Sequence, residues 1–413
     1  MNYVIIGNGT AAIGTIEGIR AVDQTGSITV ISDEPYPVYG RPLISYLLLG
    51  KTTEDKMLHY RPADFYEKNG VTTLLGRRAS KVDAIAKTVL LADGTVIPYD
   101  KLCVCTGSRP FVPPMEGLDT VTDKTSFMTL DDAKRLDALL GDANDKRVLI
   151  VGAGLIGLKC AEGILARTAS LTILDLAPRI LPNVLTEVPA GIIQRHLEGK
   201  GVRFLLGDSV ARFEPHTAHL KSGSDVDFDI LVVAVGVRPN TELAAEAGCA
   251  VERGILIDSH SATTVPDIYA AGDCTVSHDI AAQTDRILAI LPNAYLQGET
   301  AGKSMAGGRA SFDKAIPMNA SGFLGLHMIT AGCYDGETYL EHDEEHYKLL
   351  VTRDGKLVGF ILIGDVDRAG IYTSLIREQT PLDSIDFELI REKPQLMAFS
   401  RAERAKKLGG AHA

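Results

Sequence analysis

The chain has 413 residues, enough for two or three domains, and its 45% hydrophobic and 23% charged composition is that of a globular protein. A net charge of −11, from 42 basic and 53 acidic side chains, excludes a general binder of nucleic acid or of anionic membranes. The six cysteines lack metal-site spacing, and the chain starts directly with an apolar strand, without a basic leader. We therefore expect a reduced, cytoplasmic protein without a metal site.

The first recognisable element is an apolar strand followed by a glycine turn and a helix start, at residues 4–12. The same pattern recurs at residues 149–157. Each copy is followed by a buried-looking strand that leads into Gly-x-Arg-Pro, at residues 107–110 and 236–239. This repeat predicts two βαβ-containing nucleotide-binding domains in tandem.

The predicted domain order follows from what comes after the second copy. Further strand and loop residues at 254–273 have no third glycine turn, which indicates that the second domain is inserted into the first. After residue 318 the strands are shorter, and the residues Arg353-Asp354-Gly355-Lys356 predict the turn of a β-hairpin.

The predicted fold class is therefore α/β. It contains two Rossmann-like dinucleotide-binding domains, each with three layers in the order ββα, and a C-terminal α+β domain of the interface or dimerisation kind. We expect the first dinucleotide domain at residues 1–115 and 245–318, the second at residues 116–244, and the C-terminal domain at residues 319–413.

The first glycine turn is suited to the pyrophosphate of a dinucleotide. That anion needs backbone N–H groups and a helix N-terminus, with no Cβ in the way, and Gly7 and Gly9 meet this need. Ala12 occupies the third position, which tolerates alanine. Asp33 and Glu34 follow the next strand, where a carboxylate can accept hydrogen bonds from an adenosine ribose.

The second turn has all three glycines, Gly152, Gly154 and Gly157, and Asp175 follows its next strand. A carboxylate at that place repels a 2′-phosphate, which favours NADH over NADPH. One such turn is a weak signal, but two copies in the same context predict two dinucleotides and a relay between them.

These motifs resemble the flavoproteins of the pyridine nucleotide–disulfide oxidoreductase group over nearly the whole chain. Residues 34–45 resemble the Pro-Tyr-x-Arg-Pro-x-x-Ser segment of NADH:rubredoxin reductases, oxygenase ferredoxin reductases and the flavin part of nitrite reductases. Residues 362–370 are similar, more narrowly, to the rubredoxin- and nitrite-reductase branch.

The resemblance implies FAD on the first turn and NAD on the second, with the nicotinamide stacked on the flavin. It places Asp33 and Glu34 near the adenosine ribose, Arg41 near the pyrophosphate or flavin, and Asp273 on the ribitol. Asn293 would lie at the start of a helix aimed at the flavin, where a partial positive charge stabilises the reduced ring. The other residues that we expect to bind the two cofactors are Thr10, Ala11, Ala79, Thr106, Gly107, Leu155, Ile156 and Gly236.

The chain departs from the family pattern at four positions. Oxygenase ferredoxin reductases usually have Lys where this chain has Tyr46 and Glu where it has Lys159, two groups expected to face one another beside the flavin. Met128 replaces a common Arg, and Leu291 replaces a common Trp. Hydride transfer depends on stacking geometry rather than on a protein acid or base, so no catalytic residue is predicted.

The cysteines decide the subclass. The resemblance places a redox-active cysteine of two related families at residues 35–50, where this chain has none. Cys103 and Cys105 lie on one strand, and we expect their thiols to point to opposite faces of the sheet as core residues. Cys274 follows Asp273, and a catalytic role for it is disfavoured.

The expected function is therefore an FAD-dependent NADH oxidoreductase that passes electrons to a small iron protein, rubredoxin or a ferredoxin-like protein. Two alternatives stay open: an NADH oxidase that uses oxygen directly, and a flavoprotein that senses NADH without turnover. We expect no nucleic-acid or membrane partner, and the C-terminal domain is compatible with a homodimer.

Overall fold

The computed structural model describes residues 1–408, along which both helices and strands are distributed. Up to residue 115 the elements are β1 (Asn2–Ile6), α1 (Thr10–Arg20), β2 (Ser27–Ser32), α2 (Ile44–Leu48), α3 (Glu54–Met57), α4 (Phe65–Lys68), β3 (Val71–Leu75), β4 (Ala79–Asp83), β5 (Thr88–Leu91), β6 (Val96–Pro98), β7 (Lys101–Val104) and β8 (Ser108–Pro110).

Between residues 116 and 244, the order of strand, helix and strand seen at the start of the chain occurs a second time. Its elements are β9 (Lys124–Thr125), α5 (Leu130–Leu140), β10 (Arg147–Val151), α6 (Leu155–Ile164), β11 (Ser170–Asp175), α7 (Glu187–Gly199), β12 (Val202–Leu206), β13 (Val210–Glu214), β14 (Thr217–Leu220), β15 (Asp225–Asp227), β16 (Ile230–Val233) and β17 (Val237–Pro239).

The last part of the chain is richer in antiparallel strands. Its elements are α8 (Glu242–Glu246), β18 (Ile255–Leu256), β19 (Ile268–Ala270), β20 (Thr275–Asp279), β21 (Thr284–Arg286), α9 (Leu291–Met305), β22 (Met318–Phe323), β23 (Leu326–Gly332), β24 (Glu337–His342), β25 (Tyr347–Arg353), β26 (Lys356–Ile363), α10 (Ala369–Glu378), α11 (Phe387–Glu392) and α12 (Arg401–Leu408).

The chain divides into two compact units. The first comprises residues 1–183, 194–277 and 286–313, and the second comprises residues 184–193, 278–285 and the chain from Lys314 on. Both glycine turns lie in the first unit. The boundaries of the three expected domains stay a prediction. Among residues 1–408, no helix combines the length and the apolar character needed to cross a bilayer.

The first unit contains two parallel five-stranded sheets of the same design. Their strand orders are β19-β7-β1-β2-β3 and β12-β11-β10-β16-β9. The central strands β1 and β10 lead into the glycine turns. Because parallel strands have their carboxyl ends at one edge of the sheet, each glycine turn lies at that edge. Residues 268–270 return to the first sheet beside β7.

Each parallel sheet is buried on both faces. In β1, Tyr3 and Ile5 pack in the core formed with α1, whereas Val4 and Ile6 pack with the small antiparallel sheet β4-β5-β6. In the second sheet, Leu149 packs with the corresponding sheet β13-β14-β15. The near-continuous apolar runs of these strands follow from this double burial. The predicted α/β fold with ββα layers is thereby confirmed.

The second unit is built on the antiparallel sheet β22-β23-β26-β25-β24. The predicted hairpin is confirmed as β25 and β26, and its turn residues Asp354 and Gly355 have φ angles of 51° and 69°. Left-handed conformation at both central residues is typical of a turn that matches the twist of a hairpin. Helix α10 packs on this sheet, with the rings of Tyr372 and Phe360 5.4 Å apart.

Helices α1 and α9 cross closely in the first unit because glycines line their contact. A Cβ added at Gly298 would lie 2.0 Å from the carbonyl oxygen of Ala11, and one at Gly302 would lie 2.1 Å from that of Thr15. Both positions therefore exclude every other residue type unless the helices separate. This packing fixes α1, whose first residues follow the glycine turn.

We expect Gly298→Ala to lower the free energy of unfolding by about 1–3 kcal/mol, because the added methyl group must push two helices apart. The control is Gly370→Ala in α10, where an added Cβ meets no heavy atom within 4 Å. That variant should change the stability by less than about 1 kcal/mol. Chemical denaturation of both variants tests the prediction, and equal stabilities would contradict it.

Candidate dinucleotide-binding sites

The first glycine turn joins β1 to α1 and is shaped by two glycines with different tasks. Gly7 has a φ angle of +107°, and a Cβ there would lie 2.1 Å from the carbonyl oxygen of Cys105. Gly9, at the N-cap of α1, has no heavy atom within 4 Å of the corresponding position. Gly7 thus permits the close approach to the neighbouring strand, and Gly9 leaves open space at the helix N-terminus. A pyrophosphate fits such a cradle.

A pocket opens at this turn and brings together ten of the residues predicted for the first site. They come from the turn, from the segment that follows β2 and from the loops after β7 and β19, namely Gly7, Gly9, Thr10, Ala11, Asp33, Glu34, Arg41, Thr106, Gly107 and Asp273. Three predicted residues are not among its lining. Ala12 is buried in the core beside α1, Ala79 lies in the core with β4, and Asn293 is buried in the first turn of α9.

The two acidic residues after β2 have different surroundings. Glu34 forms an ion pair with Arg41 and accepts a hydrogen bond of 2.6 Å from the hydroxyl of Tyr39. Asp33 lines the pocket and is exposed to solvent. Arg41 also lies over the Tyr39 ring, at 5.3 Å from its centroid. Of the two carboxylates, Asp33 is therefore the one exposed at the pocket, and Glu34 orients Arg41.

Asp273 follows β19 and lines the same pocket. Its carboxylate lies 3.4 Å from the hydroxyl of Ser108, which donates a hydrogen bond to it. Burial raises the pKa of Asp273 above its usual value. A half-buried acid with such a shift is suited to hydrogen bonds with a polyol chain.

Sequence reasoning missed several residues that line this pocket. The structure adds Asn8, Ser32, Tyr36, Pro37, Tyr39, Cys105, Ser108, Met128, Ala271, Gly272, Leu291 and Ala294. The segment at residues 34–45 carried a usable signal for Tyr36, Pro37 and Tyr39, because the resemblance rested on it. Asn8 gave no separate signal in the sequence, because its side chain is positioned by contacts with residues that are distant along the chain.

The second glycine turn repeats the first. Gly152 has a φ angle of +117°, and a Cβ there would lie 2.3 Å from the carbonyl oxygen of Ala234, whereas Gly154 again has open space. Gly157 differs from its counterpart Ala12, because a Cβ there would lie 1.9 Å from the carbonyl oxygen of Gly152. The first turn of α6 therefore packs more tightly on its strand than that of α1.

The other residues predicted for the second site surround this turn. Asp175 ends β11, and its carboxylate accepts hydrogen bonds from the backbone N–H groups of Ala153 at 2.6 Å and of Ala177 at 2.8 Å. Leu155 and Ile156 are the first residues of α6. Gly236 follows β16 with a φ angle of +119° and has open space at its Cβ position. Asp175 thus places a negative charge directly beside the turn.

The two Gly-x-Arg-Pro segments pair with each other. Strands β8 and β17 are antiparallel, with Arg109 opposite Arg238. Next to them, the hydroxyl of Thr106 donates to the carbonyl oxygen of Asn240 at 2.6 Å, and the Asn240 amide donates back to the carbonyl oxygen of Thr106 at 2.9 Å. The two segments that repeat in the sequence therefore connect the two parallel sheets.

The positions of Tyr46 and Lys159 face one another, as expected. The Lys159 ammonium lies 5.0 Å from the centroid of the Tyr46 ring and forms an ion pair with the buried Glu162 of the same helix. The chain therefore has a cation–π contact at the place where the resemblance to oxygenase ferredoxin reductases leads us to expect a Lys–Glu pair.

The prediction for Cys103 and Cys105 was wrong. Their sulfur atoms are 3.5 Å apart and both lie 3.7 Å from the hydroxyl oxygen of Thr15, because side chains two residues apart in a strand point to the same face. Both thiols are buried core groups, as expected. Hydrogen bonding with Cys103 and burial raise the pKa of Cys105 well above its usual value, and burial raises that of Cys274 to about 12.

Two glycine turns at the carboxyl ends of parallel strands define a protein that binds two dinucleotides. The family model "Pyridine nucleotide-disulphide oxidoreductase" matches residues 1–298, and the chain belongs to that family. A second model, "Rubredoxin NAD+ reductase C-terminal domain", matches residues 317–380. The predictions of an NADH oxidoreductase and of FAD and NADH as its cofactors are thereby confirmed.

Two curated relatives show how far the similarity extends. The NADH-dependent phenylglyoxylate dehydrogenase subunit epsilon of Aromatoleum evansii is 31% identical over 393 residues, which cover 92% of both chains. The nitrite reductase [NAD(P)H] of Bacillus subtilis is 30% identical over 92% of this chain, but the chain spans only 47% of that protein.

Among solved structures, the fold matches that of the covalent putidaredoxin reductase–putidaredoxin complex. The TM-score is 0.87, the sequence identity is 23%, and the match covers 99% of each chain. At this level of identity the match supports the fold.

The two open glycine positions give a matched pair of variants. We expect Gly9→Val to weaken FAD binding at least about tenfold, because its side chain extends into the cradle, where an added Cβ meets no heavy atom within 4 Å. The apoprotein should lose only about 1 kcal/mol of stability, since valine is a poorer N-cap of α1 than glycine. Gly154→Val should instead retain FAD and raise the dissociation constant of NADH. Flavin content and equilibrium titration of each variant measure both effects, and loss of the same cofactor in both variants would contradict the assignment.

The charge of Asp175 should set the choice between NADH and NADPH. Asp175→Asn removes the negative charge but keeps an oxygen that can accept the bond from Ala153. We expect the ratio of kcat/KM for NADPH to that for NADH to rise at least about tenfold, because the repulsion of the 2′-phosphate disappears. Steady-state kinetics with both nucleotides measures the ratio, and an unchanged value would refute this role.

Proposed function

We propose that this protein passes electrons from NADH through FAD to a small iron protein, rubredoxin or a ferredoxin-like protein. The observation that carries this proposal is the combination of two dinucleotide cradles in residues 1–298 with a segment at 317–380 that matches the C-terminal domain of rubredoxin NAD+ reductases. The first part supports the use of NADH and FAD, and the second part supports the type of acceptor.

In this proposal FAD occupies the first glycine turn and NADH the second. When bound, FAD accepts the electron pair of NADH as hydride and can release electrons singly. The backbone N–H groups at the start of α1 bind the pyrophosphate, Asp33 accepts hydrogen bonds from the ribose, and Asp273 hydrogen-bonds the ribitol. The chain supplies orientation and electrostatics, and no protein acid or base takes part in the hydride step.

The thiols of the first site support an acceptor outside the chain. Cys105 is the cysteine among the residues that line the first pocket, and its sulfur lies beside Cys103 and Thr15 in the core. A thiol relay requires a thiolate, and the raised pKa of Cys105 keeps the thiol protonated at neutral pH. The environment of Cys105 therefore disfavours the thiolate that a thiol relay uses, which supports an electron acceptor outside the chain.

We also propose a cytoplasmic location and a homodimer. All six cysteines are free and five of them are buried, which is compatible with a reducing compartment. The homodimer follows from the resemblance of the C-terminal domain to interface domains, and sedimentation of the purified holoprotein tests it.

One relative suggests a specific form of the same function. The relative from Aromatoleum evansii is named as a subunit of an NADH-dependent dehydrogenase, and its similarity to this protein covers 92% of both chains. In this form of the proposal the acceptor is an iron–sulfur subunit of a stable complex rather than a free carrier. Expression of the protein from its native promoter, purification and iron analysis of the intact complex distinguish the two forms.

Anaerobic stopped-flow spectroscopy tests the proposed function. We expect NADH to bleach the flavin absorbance and rubredoxin or a ferredoxin to restore it over many turnovers, faster than oxygen does. Fast reoxidation by oxygen alone would support the NADH oxidase instead. A long-lived NADH complex that no iron protein discharges would support the sensing flavoprotein.

A further inference from the structure

The residue between the two glycines of the first turn, Asn8, forms a bridge across the pocket. Its amide nitrogen lies 3.3 Å from the carbonyl oxygen of Tyr36, and its amide oxygen lies 2.7 Å from the hydroxyl oxygen of Tyr66. Asn8 and Tyr36 both line the pocket, on the turn and on the facing wall. The bridge therefore links the turn to the irregular segment that forms this wall.

The hydroxyl of Tyr66 holds both sides of the bridge at once. It donates to the Asn8 amide oxygen and accepts a hydrogen bond of 3.1 Å from the backbone N–H of Val38, two residues beyond Tyr36. Tyr66 is on α4, half-buried, with its ring edge-on to Phe65 at 5.4 Å. It is not among the residues that line the pocket.

The direction of these hydrogen bonds is determined by their partners. The carbonyl oxygen of Tyr36 can only accept, so the Asn8 amide nitrogen must face it and the amide oxygen must face Tyr66. The backbone N–H of Val38 can only donate, so the Tyr66 hydroxyl accepts from it and gives its own proton to Asn8. Each group has a single compatible role, which fixes the rotamer of Asn8 at the mouth of the turn.

The facing wall is tied down at its outer side as well. The Tyr36 hydroxyl donates to Asp131 at 2.6 Å, and its ring lies 4.7 Å from the Lys134 ammonium. Without the Tyr66 hydroxyl, the wall would keep these outer contacts but lose one of its inner contacts to the turn. The Asn8–Tyr36 hydrogen bond would then hold the turn to the wall without the support of Tyr66, and the width of the pocket at the turn would be less closely fixed.

We propose that Tyr66 is a positioning residue for FAD: acting through Asn8, its hydroxyl fixes the Gly7–Gly9 turn against the Tyr36–Val38 wall before the dinucleotide binds. This inference rests on the proposed place of FAD at the first turn. A cradle already held in its bound geometry binds tightly because little ordering is needed on association. Tyr66 thus raises FAD affinity without contacting FAD.

The test uses Tyr66→Phe, which removes the hydroxyl and keeps the ring packed on Phe65. FAD is removed from the holoprotein, and its dissociation constant is measured by quenching of flavin fluorescence on rebinding. We expect an increase of about tenfold, equivalent to about 1.4 kcal/mol. The matched control is Tyr3→Phe, which removes a hydroxyl bonded to Asp23 at 2.9 Å at the other end of β1.

The control should bind FAD as the wild type does, and the thermal midpoint of the Tyr66→Phe apoprotein should fall no further than that of Tyr3→Phe. FAD affinity of Tyr66→Phe within twofold of the wild type, or an equal loss in Tyr3→Phe, would overturn the inference. A wild-type protein that binds no FAD would instead overturn the proposed function.

A double-mutant cycle with Asn8→Ala tests whether Tyr66 acts through Asn8. We expect Tyr66→Phe to change the FAD dissociation constant less than twofold in the Asn8→Ala background, because the connection is already broken. Additive effects of the two substitutions would overturn the inference. The thermal midpoints of the variants are measured on the apoprotein and on the holoprotein, so a folding defect is separated from a change in FAD affinity.

Discussion

The close backbone approach at the two glycine turns is the constraint on which the rest of this structure depends. Gly7 lies against the carbonyl oxygen of Cys105, and Gly152 lies against that of Ala234, at distances that leave no room for a Cβ. Each approach brings the N-terminus of a helix to the carboxyl end of a parallel sheet. The positive end of the helix dipole and the free N–H groups then face open space, which is where a pyrophosphate is stabilised.

The same design appears twice, and the two copies are connected where their sequences repeat. Strands β8 and β17 carry the Gly-x-Arg-Pro segments and form one antiparallel pair. Thr106, which lines the first pocket, exchanges hydrogen bonds with Asn240, which follows the second segment. A relay between two cofactors requires a fixed relation between their cradles, and this pair of strands supplies a direct link between the two sheets.

Much of the fold could be predicted because it depends on patterns of residues that are close together in the sequence. Apolar runs before glycine turns identified the central strands, because burial on both faces of a sheet requires them. The Asp354-Gly355 turn identified the hairpin, because its left-handed backbone conformation favours these residue types. The residues that line the pocket were harder to predict. Ala79 was expected there but lies in the core, whereas Asn8 lines the pocket through contacts with Tyr36 and Tyr66 that are distant in sequence. The expectation for Cys103 and Cys105 misapplied the strand period, because residues two apart in a strand share a face, as their sulfur atoms do here.

The central claim is that the first turn holds FAD and the second holds NADH, and a crystal structure of the holoprotein with NAD⁺ tests it most directly. The account predicts FAD pyrophosphate density within hydrogen-bonding distance of the backbone N–H groups at the start of α1, and NAD⁺ pyrophosphate density at the start of α6. Exchanged positions, or FAD density away from the Gly7–Gly9 turn, would contradict it.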